Sequence, residues 1–129
     1  MRSGFIVILF SIALAGCQST GPSAFTIPVG SPREVGVEYS VNEDCSSVGD
    51  TVVRVTQQPE HGSVEVRSGA VHTRFADSNP RHACNARTVD GKQIWYNPAS
   101  GFAGDDHFAI EAIYPSGGSH ESSFAVTVR

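Results

Sequence analysis

The sequence predicts an all-β fold, an antiparallel sandwich of about seven strands, and three observations predict it. From Glu34 onward apolar residues recur with a period of two rather than 3.6. Turn-forming residues interrupt these runs at short, regular intervals. No window of that region carries the continuous apolar stripe of an amphipathic helix. The chain has 129 residues, 40% hydrophobic and 17% charged, which suits one domain and hardly two. That composition argues against wholesale disorder and against a polytopic membrane protein.

The elements follow in order. Val35, Val37, Tyr39 and Val41 share one face of a first strand. Val53 and Val55 alternate within 51–56, and a turn at 57–62 with Pro59 and Gly62 leads to Val64 and Val66 in 63–68. Gly69 marks a further turn, after which Val71, Thr73 and Phe75 alternate. Asn79-Pro80 breaks this stretch, and Asp90-Gly91 predicts a hairpin turn before 93–96. Phe108, Ile110, Ala112 and Tyr114 then share one parity, as do Phe124, Val126 and Val128, with residues 115–119 as the turn between them.

The N-terminus has a different character. Arg2 precedes an apolar run over 5–15, 11 residues long. A membrane-spanning helix needs about 20, so the run has the size of a signal-peptide core. It ends in Leu14-Ala15-Gly16-Cys17, followed by the polar Gln18-Ser19-Thr20. The tetrapeptide resembles the bacterial lipobox. That resemblance implies cleavage after residue 16 and a mature chain beginning at Cys17, with lipid, palmitate included, on its thiol and amine. It also implies a lipoprotein of the bacterial cell envelope, and Gln18, in place of an Asp, points to the outer membrane, facing the periplasm or the cell surface. Residues 1–16 are thus expected to be the signal peptide. Residues 17–33, with Gly21, Pro22, Pro28, Gly30 and Pro32, read as a tether of up to ~50 Å, although Phe25, Ile27 and Val29 alternate within it as a short edge strand would. Residues 34–129 form the expected domain.

The chain has 9 basic and 13 acidic residues, a net charge of −4, and no basic run. Nucleic acid is therefore not an expected partner. The membrane is one, through the lipid anchor. Of the 3 cysteines, Cys45 and Cys84 remain after Cys17 is assigned. In an exported protein a disulfide is their default state. It would close a loop of about 40 residues, contribute about 4 kcal/mol on the chain-entropy model, and pin segments 42–50 and 79–88. A copper site using His82 and Cys84 is the competing reading.

Two patterns reach further. One is Pro59-Glu60-His61-Gly62-Ser63-Val64-Glu65-Val66. The other is Tyr96-Asn97-Pro98 followed by Gly101-Phe102-Ala103-Gly104-Asp105-Asp106-His107-Phe108. Both resemble the bacterial immunoglobulin-like and cadherin-like repeats of cell-surface proteins. The resemblance implies an immunoglobulin-like β-sandwich in which Tyr96, Pro98, Phe102, Gly104, Asp106 and Phe108 form a structural motif. Phe102 is expected to plug one end of the sandwich. Asp106 shares the parity of Phe108, so its carboxylate is expected to accept from backbone N–H groups of its own turn. The chain departs from the family in having one copy, in lacking a neighbouring copy to complete an inter-domain calcium site, and in Cys45 and Cys84.

No metal, cofactor or catalytic activity is expected. His61, His72, His82, His107 and His120 show no paired ligand spacing and read as surface residues. Asp105, His107 and Glu111 share an outward face, either as a weak divalent-cation patch or as an ordinary solvated strand surface. No Gly-x-Ser-x-Gly nucleophile motif occurs. Trp95 opposes Ile94 and Tyr96 in parity. It is a candidate hot spot for a protein or glycan, or else packs beneath 42–50 or 79–88. The expected function is a non-catalytic structural or binding module for an envelope protein or glycan. The alternative is a periplasmic inhibitor of a lysozyme or protease.

Overall fold

The computed structural model describes residues 21–129. The signal-peptide assignment and Cys17 lie outside the described residues. The elements are β1 (Ser23–Ile27), β2 (Arg33–Glu38), β3 (Val52–Gln57), β4 (Gly62–His72), a short 3₁₀ helix (His82–Ala86), β5 (Thr88–Pro98), β6 (Gly104–Ile113) and β7 (Ser119–Val128). They form a four-stranded sheet ordered β1-β7-β6-β3 and a three-stranded sheet ordered β2-β5-β4. The fold is an all-β sandwich of seven strands, antiparallel except where β1 runs parallel to β7.

Alternation on the facing strands builds the inter-sheet core from Ile27, Val35, Ile94, Tyr96, Phe108, Ile110, Phe124, Val126 and Val128. Phe108 lies at its centre, its ring stacked 4.6 Å from Phe124 and 6.1 Å from Tyr96. Residues 108, 110 and 112 and residues 124, 126 and 128 are buried as their parity predicts, and the turn between β6 and β7 is closed by Tyr114 N–H donating to the Gly118 carbonyl at 2.8 Å.

Three expectations change. The first concerns residues 17–33. Ser23–Ile27 is a strand of the sandwich, in register from Ser23↔Phe124 to Ile27↔Val128, and Ile27 is fully buried. The folded unit therefore begins well before residue 34. The alternation of Phe25 and Ile27 wins over the flanking prolines because both side chains reach apolar neighbours of the core.

The second concerns the turns at Gly69 and Asp90-Gly91. Both lie inside one long hairpin, where β4 and β5 pair without interruption from Gly62↔Pro98 to His72↔Thr88 and Gly69 faces Gly91. Gly91 serves a close approach rather than a turn. A Cβ there would lie 2.6 Å from Val71 Cγ2 and 2.7 Å from the Glu38 carbonyl oxygen, since the chain leaving β2 crosses the strand at that point.

The third concerns the shared face of Val35, Val37, Tyr39 and Val41. β2 carries an irregularity between Glu34 and Gly36, which turns Val35 into the inter-sheet core while Val37 and Tyr39 face the opposite way. There they meet a second cluster of Val41, Val71, Cys84 and Val89, joined by Phe75. By strand alternation Val71 and Val89 point away from Ile94 and Tyr96. The three-stranded sheet is thus buried on its inner face by the other sheet and on part of its outer face by segments 39–48 and 73–87.

The Cys45–Cys84 disulfide, with Cα atoms 5.5 Å apart, joins those two segments. Hydrogen bonds reinforce it. Asn85 Oδ1 accepts from Thr73 Oγ1 at 2.7 Å and from Phe75 N–H at 3.0 Å. Arg81 Nε–H donates to the Val41 carbonyl at 2.8 Å.

Candidate functional site

The uncovered part of that outer face carries Trp95. Its register partners are Glu34 on β2 and Glu65 on β4. The Arg67 guanidinium lies 4.4 Å from the centre of the indole ring, close enough for cation–π attraction. Glu65 fixes that guanidinium with two bonds, from Arg67 Nε and Nη2, each 2.8 Å long. The pairing holds the Glu65 carboxyl below its usual range, chiefly through the hydrogen bond from Arg67. The indole Nε1–H donates to Gln93 Oε1 at 3.1 Å. Trp95 is therefore half-buried under an ordered Arg–Glu pair, on a strand face rimmed by Glu34, Glu65 and Gln93.

This corrects the packing of Trp95 beneath 42–50 or 79–88. The stapled segments cover the same face but farther along the hairpin, at Val71 and Val89, three alternating positions from Trp95. A planar, charge-rimmed surface of this kind can stack against a flat or ring-shaped group and bond its polar edges.

The motif residues assemble at one end of the sandwich. Asp106 is 4% exposed, and its carboxylate accepts four hydrogen bonds. Oδ1 takes the N–H groups of Glu60 at 3.0 Å and His107 at 2.9 Å, and Oδ2 takes the His61 N–H at 3.0 Å and the Tyr96 hydroxyl at 2.7 Å. The expected partners were those of its own turn. The observed ones include the loop entering β4, so Asp106 ties the two sheets together. Burial pushes this carboxyl up, but the donations from Tyr96, Glu60, His61 and His107 outweigh it and hold the group below the usual range. Tyr96 is pushed well up, first by burial and then by its bond to Asp106.

Gly104, at φ +138, permits the entry to β6 and sits against the Phe102 ring. Phe102 packs on the inter-sheet core and stacks on His61 at 4.3 Å. Pro98 ends β5 opposite Gly62. At the other end of the sandwich Tyr114 donates to Glu38 Oε2 at 2.7 Å.

Asp105, His107 and Glu111 do not come together as a cation site. Asp105 accepts from Thr127 Oγ1 at 2.8 Å and Glu111 pairs with Arg54. Among the described residues no group of three or more His, Cys, Asp or Glu side chains is placed to hold a metal. His61 lies in a turn against Phe102, and His82 reaches Asn85 and the Phe75 carbonyl rather than Cys84, whose sulfur is in the disulfide.

Sequence reasoning missed the partners of Trp95. Glu65 and Arg67 share a parity, which the sequence shows, but their placement beside Trp95 depends on the β4–β5 register. It also missed two of the backbone donors of Asp106, Glu60 and His61, which lie more than forty residues upstream.

No family model and no curated protein matches the chain. Among solved structures it is similar to one described as the solution structure of amebosin, at 15% identity over 84% of this chain and 100% of that one, with a TM-score of 0.45. A likeness at that level carries no argument about function.

Proposed function

We propose that this protein is a lipid-anchored lipoprotein of the bacterial cell envelope whose single immunoglobulin-like sandwich acts as a non-catalytic module binding an envelope protein or glycan. The observation that carries the reading is Leu14-Ala15-Gly16-Cys17 at the end of an 11-residue apolar run. Several attached acyl chains make such an anchor firm, since each buried CH₂ contributes about 0.8 kcal/mol.

Two features support the binding role. The outer face of the three-stranded sheet presents Trp95 with Arg67 stacked on it, and Trp and Arg are the residue types that dominate binding hot spots. The buried acid Asp106 is closed on four donors within the fold, a role in architecture rather than in chemistry on a substrate.

The test has two parts. Cys17→Ser is expected to abolish fatty-acid labelling and release the protein from membranes. Protein that stays membrane-bound after that change would sink the anchor. Crosslinking in native membranes, followed by capture of the full lipidated chain, is expected to recover an envelope protein or glycan fragment. Trp95→Ala is expected to reduce that recovery by a factor of ten or more, matching a hot spot of about 2 kcal/mol. Recovery of the same material with Trp95→Ala would remove this face from the proposal.

A further inference from the structure

We infer that the outer face of the four-stranded sheet lies against the bilayer and that the Trp95 face is held away from it. The inference rests on the lipid-anchor reading of Cys17 and adds to it the side on which the domain sits.

The argument is one of chain length. Strand β1 is seated on β7 from Ser23 onward, and Ile27 is fully buried, so this segment cannot pay out as tether. Gly21 and Pro22 form part of the rim of an open hollow on the outer face of the four-stranded sheet, facing Gln57, His107, Glu121 and Ser123. Only three residues lie between Cys17 and Gly21, four Cα-to-Cα steps. Fully stretched, they span about 14 Å.

The sandwich is thicker than that. Its sheets are about 10 Å apart, and with outward side chains on both sides the outer faces stand about 20 Å apart. A lipid on Cys17 therefore reaches the surface around Gly21 but cannot pass round the sheet edge to Trp95. The occupant of this sheet face is a phospholipid surface, brought there by the tether.

Charge is not what brings it. The face carries the paired Arg54 and Glu111, together with Asp105, His107 and Glu121, with no cluster of basic residues to attract anionic headgroups. The contact should consequently be insensitive to salt, because screening acts on charge attraction and not on chain length.

The single tryptophan provides the test. The full lipidated chain is placed in liposomes of phosphatidylethanolamine and phosphatidylglycerol containing a spin label on the lipid headgroup. Native Trp95 is compared with a Trp95→Phe/Ser123→Trp variant, and His107→Trp with Trp95→Phe serves as a second reporter on the same face. Both variants are expected to be quenched roughly threefold more than native Trp95, given reporters about 20 Å apart across the sandwich. The difference should persist at high salt. Inserting about fifteen Gly and Ser residues after Thr20 in the chain with native Trp95 should raise its quenching, because the longer tether frees the domain to turn.

Labelled, liposome-bound protein with equal quenching on both faces, or with no effect of the insertion, overturns the orientation alone. Absence of fatty acid on Cys17, or a Cys17→Ser chain that still floats with the liposomes, overturns the anchor reading and the orientation with it.

Discussion

The two apolar clusters of this protein meet the same problem at different scales. The inter-sheet core has nine buried residues contributed by strands of both sheets. It is built by strand alternation, with Val35 added by the irregularity in β2, and its aromatic members stack in the sequence Tyr96, Phe108, Phe124. The second cluster has four buried residues, Val41, Val71, Cys84 and Val89, on the outer face of the three-stranded sheet. So few side chains bury too little area to order two long segments against the backbone entropy lost, about 1–2 kcal/mol per residue. A disulfide, Asn85 and Arg81 supply what apolar area does not. The large core thus forms from pattern, and the small one depends on crosslinks.

The strongest way to break the first cluster is Phe108→Ala, with an expected loss of about 3–5 kcal/mol, measured by denaturant unfolding. A loss near 1 kcal/mol would mean that Tyr96 and Phe124 move together to close the cavity. Removing the crosslink with Cys45→Ala/Cys84→Ala is expected to cost about 2–4 kcal/mol. Its consequence should be local. Amide hydrogen exchange is expected to quicken at Val71, Val89 and 79–88 while Ile110 and Val126 stay slow. Uniform loss of protection across both sheets would show that the two clusters fold as one unit.

Asp106→Asn tests the latch at the opposite end and is expected to cost about 2–3 kcal/mol, since it weakens hydrogen bonds to a buried charge. The folded carboxyl titrates below its unfolded value of about 3.9. Its stabilisation is therefore complete above that pH and is lost as pH falls through the lower, folded value. The variant should show a flatter decline in stability below about pH 4, and an unchanged slope would mean that other carboxyls govern acid unfolding. The smallest expected effect is Gly91→Ala, about 1–3 kcal/mol from overpacking against Val71 and the Glu38 carbonyl. This change should loosen the second cluster and leave the first intact, which the same exchange measurement would read.

Much of the larger core was legible in the sequence. The parity of Phe108, Ile110, Phe124, Val126 and Val128 stated which residues would be buried together, because both strands have one wet face and one dry face. The candidate site was legible only in part. The opposition of Trp95 to Ile94 and Tyr96 was visible, but the roof of Arg67 and Glu65 was not, since it follows from a register set across more than twenty residues. Gly69 and Gly91 misled for a related reason. A glycine that permits a turn and a glycine that permits two chains to touch look alike until the second chain is in place.

By itself the sequence determined the alternation of β6 and β7, and the aromatic and acidic residues around Phe102 and Asp106. Those are properties of neighbours in the chain, fixed by period and spacing. Only the tertiary structure decided that β1 is welded to β7, that Val71 and Val89 face away from the main core, and that Asp106 bonds to the loop entering β4. Each of these depends on which distant segments meet. Strand alternation assigns a residue to one of two faces, but what covers each face is settled by the pairing of the whole sheet.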